Sequence, residues 1–268
     1  MKLRPSHSAL PTGRDVPVVP GPLRVAVAIA AGMNLFLAVG FTLQQAWALD
    51  RWPWEVGRLS YLFLASMLAA VGVAALWIAI SGETGSLPAG FLNLAVTLGG
   101  ISAFLVTTGT GRLGYAIGGL ALVNVVLLLW SRRLPQPESP GIPALVRGSY
   151  VVFTLVLLGV GLALILQRPG VMPWALDRNN SVVFGWIFLG DAFYFAYAVW
   201  RPNWHSARAQ LWSFLGYDAV LLGPLLAHVP QVEPDLRPNL IVYLLVLVYS
   251  AALGVYYLLV NERTRGWG

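Results

Sequence analysis

Asp191 and Asp218 are acidic residues set inside long apolar runs, 182–200 and 209–229. Asp191 lies about ten residues from one end of its run and Asp218 about eleven, so at about 1.5 Å rise per helical residue each carboxyl is about 15 Å deep. An aspartate at the centre of a membrane helix costs about 2.5–3.5 kcal/mol, which restricts it to a bundle interior or a wet cavity. Two carboxyls at one depth on neighbouring antiparallel helices can hold a proton or a cation, and if they approach each other they titrate as one coupled pair. The other chemistry open to them is structural. Each can tie helices together by hydrogen bonds, helped by Tyr194, Tyr197 or Tyr217, for about 0.6 kcal/mol per contact.

The elements that must position these residues are duplicated. Trp47-Ala48-Leu49-Asp50-Arg51 recurs as Trp174-Ala175-Leu176-Asp177-Arg178, each copy between two long apolar runs. At an offset of 125, Ser60–Ser66 aligns with Gly185–Asp191. The same offset sets Ser66 opposite Asp191 and Asn93 opposite Asp218. Polar but uncharged partners in the first half make any site asymmetric, with its acids in the second. The candidate proton, cation or solute site is therefore Asp191, Asp218, Tyr194, Tyr217, Ser66 and Asn93.

Composition says what surrounds them. Hydrophobic residues are 57% and charged residues 10% of the chain, against roughly 45–50% and 25% in soluble domains, and the mean hydropathy is +0.71. Apolar runs recur at about 24–44, 59–80, 89–108, 112–130, 148–167, 182–200, 209–229 and 239–260. Each is long enough for a hydrocarbon core about 30 Å thick. Lipid satisfies no backbone polar group, so unbroken apolar runs must be helices; barrel strands would alternate. The expected fold is all-α, an integral membrane bundle of eight helices in two parallel four-helix repeats. Residues 1–23 form a proline-rich cytoplasmic tail, 24–133 and 147–268 the repeats, and 134–146 the linker. The first run exceeds a signal-peptide core, so it is expected to be retained.

Counting basic residues orients the chain, because cytoplasmic loops are enriched in Lys and Arg. With the N-terminus inside, the cytoplasmic set is Lys2, Arg4, Arg14, Arg24, Arg132, Arg133, Arg147, Arg201, Arg208, Arg263 and Arg265, eleven against six outside. Both termini are then cytoplasmic and the membrane is the plasma membrane. The net charge of +6 is read as topological, with the bilayer and not nucleic acid as partner.

Other chemistry finds little footing. There is no cysteine, which removes disulfides, thiolate catalysis and iron–sulfur sites. His7, His205 and His228 share no face or depth, so no metal or haem site is expected, and the single lysine, Lys2, excludes a Schiff base within the bundle. No cofactor is expected. Trp47, Asp50, Arg51, Trp52 and Trp54, with Trp174, Asp177 and Arg178, form an outer-face motif. It reads as an aromatic belt with local Asp–Arg pairs, or as a docking surface centred on Trp52-Pro53-Trp54. Small residues at Ala28/Gly32, Gly99/Ala103 and Gly114/Gly118 are expected as packing seams. Gly223-Pro224 should kink its helix beside the carboxylates.

Trp52-Pro53-Trp54 followed by Arg58-Leu59-Ser60 and a Gly/Ala-rich run to Gly72 resembles a pattern in bacterial multi-pass membrane proteins known mainly from actinobacterial genomes. The likeness spans about 25 residues and implies membrane architecture without an activity. In the second half Asn179 and Asn180 replace the Pro-Trp. Three functions remain: a small-solute or proton-linked carrier; a structural or accessory subunit with a membrane-protein partner, or a homo-oligomer; and, last, a lipid-modifying intramembrane enzyme.

Overall fold

Runs of apolar residues in a medium without hydrogen-bond partners leave the backbone one regular option, and the computed structural model is helical through most of the residues it describes, 21–54, 56–134 and 141–264. Most of the expected tail, residues 135–140 of the linker, and Arg265 lie outside them. The long helices are α1 (Gly21–Thr42), α3 (Arg58–Ser81), α4 (Leu87–Thr107), α5 (Gly111–Ser131), α6 (Ala144–Ile165), α7 (Arg178–Trp200), α8 (Trp204–His228) and α9 (Arg237–Val255). A short α2 (Ala46–Leu49) follows α1, and α9 runs on as a π-helical turn, Tyr256–Val260.

Seven of these, all but α8, are long and apolar enough to cross a membrane, which makes the chain a multi-pass membrane protein. The eighth expected run, 209–229, is present as α8, the longest helix at 25 residues. His205, Arg208, Gln210, Asp218 and His228 dilute its apolarity. Five of the other long helices, α1, α3, α5, α6 and α9, expose several Val, Leu or Ile side chains, as lipid requires, whereas α7 and α8 are the most enclosed.

Helix ends follow local chemistry. Gly82, at φ 77°, ends α3 in the left-handed conformation, which glycine adopts without a Cβ clash. Asp177 caps α7, accepting from the amides of Asn179 and Asn180, and Asn203 caps α8, accepting from Ser206. Two ends are made without glycine. Gln44 (φ 53°) after α1 and Gln167 (φ 55°) after α6 are the left-handed non-glycine residues of the described chain. Each is followed by an amide that reaches back five residues, Gln45 to Gly40 and Arg168 to Ala163. A left-handed non-glycine residue costs about 1–2 kcal/mol. Gln44→Gly should therefore raise the thermal midpoint in detergent, a net gain of about 0.5–1 kcal/mol once glycine's unfolded-state entropy is subtracted; an unchanged midpoint counts against the strain.

Neighbouring helices form two rows, α1–α3–α8–α9 and α5–α4–α7–α6. Lipid supplies no hydrophobic drive between helices, so close backbone approach and side-chain hydrogen bonds must hold the rows. Gly114 and Gly118 do so as expected: Ser102 donates to the Gly114 carbonyl at 2.8 Å, and a Cβ at Gly114 would lie 2.8 Å from Val106. Gly32 and Gly99 meet nothing within 4 Å. The glycine that matters beside Gly99 is Gly100, where a Cβ would fall 1.9 Å from Trp186 of α7. Between rows, Tyr150 donates to the Ala207 carbonyl at 2.9 Å, Gln210 to the Tyr194 carbonyl at 2.7 Å, and Ser149 and Tyr249 share a bond at 2.6 Å.

Candidate functional site

Asn93 sits near the start of α4 and Asp191 beyond the middle of α7, and the two helices pack side by side. Gly190 allows this. A Cβ there would lie 2.0 Å from the Thr97 hydroxyl and 2.6 Å from the Asn93 side-chain oxygen. The closeness lets the Asn93 amide donate to Asp191 Oδ1 at 2.7 Å, while Thr97 Oγ1 bonds Asn93 Oδ1 at 3.1 Å and the Trp186 carbonyl at 3.3 Å. Gly190→Ala should prise α4 from α7, costing about 1–3 kcal/mol as an overpacked core does. A thermal midpoint equal to wild type would show that the helices do not depend on this contact.

Asp191 lines a cavity of about 640 Å³ between the rows, a size ordinary for small-ligand sites. Its wall is overwhelmingly apolar, with Leu37, Leu64, Leu68, Val71 and Leu94 among the lining residues. Its polar lining residues besides Asp191 are Asn93, Thr97, Tyr194, Tyr217, Tyr243 and Ser213, with Asn34, Arg51, Ser86 and Ser250. The Tyr217 and Tyr243 hydroxyls hydrogen bond to each other.

Asp218 is placed differently. It is 3% exposed and accepts from Ser250 Oγ on α9, at 3.1 Å to Oδ1 and 2.9 Å to Oδ2. Ser250 forms part of the cavity wall and Asp218 does not. Each carboxyl thus has its own neutral partner, and no hydrogen bond joins the two among the described residues. Ser66, aligned with Asp191, is fully buried and bonds the Phe63 carbonyl of its own helix at 2.7 Å, away from the cavity wall. Gly223 is exposed, and neither it nor Pro224, which lies within α8, borders the cavity.

The tryptophan motif divides. Trp47 is 37% exposed and stacks on Phe36 at 4.6 Å, as a residue of the lipid boundary does. Its repeat mate Trp174 is 8% exposed and donates to Ser60 of α3 at 3.0 Å, while Trp52 donates to Asn180 of α7 at 2.8 Å. Each half thus sends an indole into the first turns of the other half's second long helix. Trp54 packs edge-on to Trp52 at 5.6 Å. The expected Asp–Arg pairs do not form: Asp177 caps its helix, Arg178 donates to Gln167 at 2.8 Å, Asp50 ends α2, and Arg51 reaches the cavity rim.

A largely enclosed ion pair at the opposite helix ends joins residues that sequence reasoning missed. Glu83, in the α3–α4 turn, meets Arg208 of α8, with His205 Nδ1 at 3.2 Å and the Trp77 indole donating at 3.0 Å. Arg208 lies over the Trp77 ring at 5.7 Å, and Trp77 stacks on Trp212 at 5.4 Å. The sequence carried one signal for it, since Glu83 and Arg208 are separated by the 125 residues of the repeat offset.

Compared with known proteins, the chain matches no protein-family model, no curated protein and no solved structure.

Proposed function

We propose that the protein is a small carrier of the plasma membrane that exchanges a proton for a solute at Asp191, with both termini cytoplasmic and α8 as an eighth span. In this reading the chain is a parallel duplication. Replacing α1, α3, α4 and α5 by α6, α7, α8 and α9 turns one row of neighbours into the other, and the matched Gln44 and Gln167 terminations support it. The interior is then a pseudo-two-fold seam, where carriers built from repeats hold their sites.

One observation carries the proposal: an intramembrane carboxylate on the wall of a large cavity, bonded among the described residues by a neutral amide alone. A carboxyl serving only as helix glue would be walled in, as Asp218 is. Asp191 keeps acceptor positions facing open space, so a proton or a cation can reach and leave it.

The test is proton movement in proteoliposomes holding a fluorescent pH reporter, with a potential imposed across the membrane and candidate solutes added outside. Wild-type protein should change internal pH at least tenfold faster than Asp191→Asn in the presence of a transported solute. Equal rates across cationic, neutral and anionic solutes would overturn the proposal.

A further inference from the structure

The two halves differ in what fills the space beside their first helices. In the second half Tyr150 and Phe153 of α6 pack on Phe195 of α7 with ring centroids at 5.2 and 6.0 Å, and Phe195 stacks on Phe214 of α8 at 4.9 Å. This aromatic plug is buried, and its edge forms one wall of the cavity. The twin Gln44/Gln167 terminations align α1 with α6 at an offset of 123, which sets Val27 opposite Tyr150 and Ala30 opposite Phe153; the offset of 125 sets Ala70 opposite Phe195. Val27, Ala30 and Ala70 all line the cavity. The cavity therefore occupies the volume that three rings fill in the other half.

Its mouth lies on the α1 side. Val27, Ala30, Asn34, Leu37 and Phe41 follow helical spacing along one stripe of α1 that borders the cavity, and Ala30 is exposed. The main neighbour of α1 is α3, while α4 packs on α5 and α7, so the gap between α1 and α4 faces sideways. In a bilayer that direction is lipid.

We propose that the cavity takes a single-chain lipophilic amine from the bilayer, its ammonium on Asp191 and its apolar chain along α1, α3 and α4. The inference rests on the cavity of the carrier reading and names its substrate class. A wall with so little polar surface excludes sugars, whose many hydroxyls would lie unpaired. Arg51 borders the same cavity, but among the described residues no basic side chain pairs with Asp191, which leaves its carboxylate free to take the ligand's ammonium. Phospholipid amines share the ammonium but would drag a phosphate to the membrane centre, which this wall does not satisfy. The chemistry also fixes the exchange: Asp191 holds either a proton, as a carboxylic acid, or the ammonium, as a carboxylate, so one amine enters for each proton released.

The experiment is equilibrium binding of radiolabelled dodecylamine to the purified full-length protein in neutral detergent, with dodecanol, dodecanoate and phosphatidylethanolamine as competitors. Wild type should retain the amine, with at least tenfold weaker affinity in Asp191→Asn. Ala30→Phe combined with Ala70→Phe, which copies the second half's rings, should abolish retention without lowering the thermal midpoint. Dodecanol and dodecanoate should compete at least tenfold less well than unlabelled dodecylamine, and phosphatidylethanolamine should not compete. Retention equal to wild type in either variant overturns the proposal, as does displacement by phosphatidylethanolamine, which would make the ligand a phospholipid. If dodecylamine fails to bind while Asp191-dependent proton movement persists with another solute, the substrate class is wrong and the carrier stands.

Discussion

Removing the Glu83 carboxylate should destabilise the protein by about 3–5 kcal/mol, because it leaves a buried guanidinium without its counter-ion. The side chains of Glu83 and Arg208 are 11% and 12% exposed, and both oxygens of Glu83 are used, one by Arg208 and His205 and the other by the Trp77 indole. Glu83→Ala removes in one step the acceptor used by Arg208 and by the Trp77 indole. Because this cluster ties the α3–α4 turn to the start of α8, its loss should loosen α8, the least apolar of the long helices. The double variant Glu83→Gln with Arg208→Met should recover part of the loss, since replacing a buried pair by neutral groups is far less costly than breaking it. Thermal midpoints in detergent for wild type, single and double variants decide this. A single variant as stable as wild type would mean the pair is solvated.

The second large effect separates the two aspartates. Asp191→Asn should reduce solute-coupled proton movement at least tenfold while leaving the fold intact, because an amide can still accept from Asn93 but cannot take up a proton. Asp218→Asn should leave that movement within about twofold, since the Asp218 side chain is buried against Ser250 and does not line the cavity that Asp191 lines. Its cost falls on stability, of the order of the 0.6 kcal/mol typical of interhelical polar contacts. Equal loss of movement in both variants would show that the carboxyls act as one pair.

Why the aspartates part company explains what the sequence could and could not show. Long apolar runs dictate helices wherever lipid is the solvent, so the expected spans lie close to the observed helices. Depth follows from helical rise, and an acid inside a span must turn inward on energetic grounds, so Asp191 and Asp218 were legible as enclosed groups. Their neighbours were not. Which helix packs on which depends on close approach at single positions, such as Gly100 against Trp186 and Gly190 against Thr97. Glycine is so common in membrane helices that its presence does not say which copy is used: Gly99 faces open space while Gly100 is filled by an indole. Hence alignment sets Asn93 opposite Asp218, whereas its hydrogen bond is to Asp191.

The repeated pentapeptide shows the same dependence on neighbours. Identical residues Trp47 and Trp174 have opposite surroundings, one stacked in an exposed position and one buried against α3. The residues just downstream of each copy differ as well: Pro53-Trp54 follows the first copy, whereas Asn179 and Asn180 donate their amides to Asp177, which caps α7. Under the proposed duplication, the small residues at 27, 30 and 70 stand where the other half has aromatics. That alignment needs the offset of α1 against α6, which the Gln44 and Gln167 backbone supplies.

Exchange at Asp191 requires an accessible cavity beside it, and a chain without cysteine makes that accessibility directly measurable. Ala70 on the cavity wall and Ser66, fully buried one turn away on α3, are separated by about 6 Å of helical rise. Single cysteines at these two positions, reacted with N-ethylmaleimide in proteoliposomes, report hydration because only a thiolate reacts. Ala70→Cys should be modified at least tenfold faster than Ser66→Cys. Equal, slow modification at both positions would mean a closed and dry interior, and would contradict the carrier.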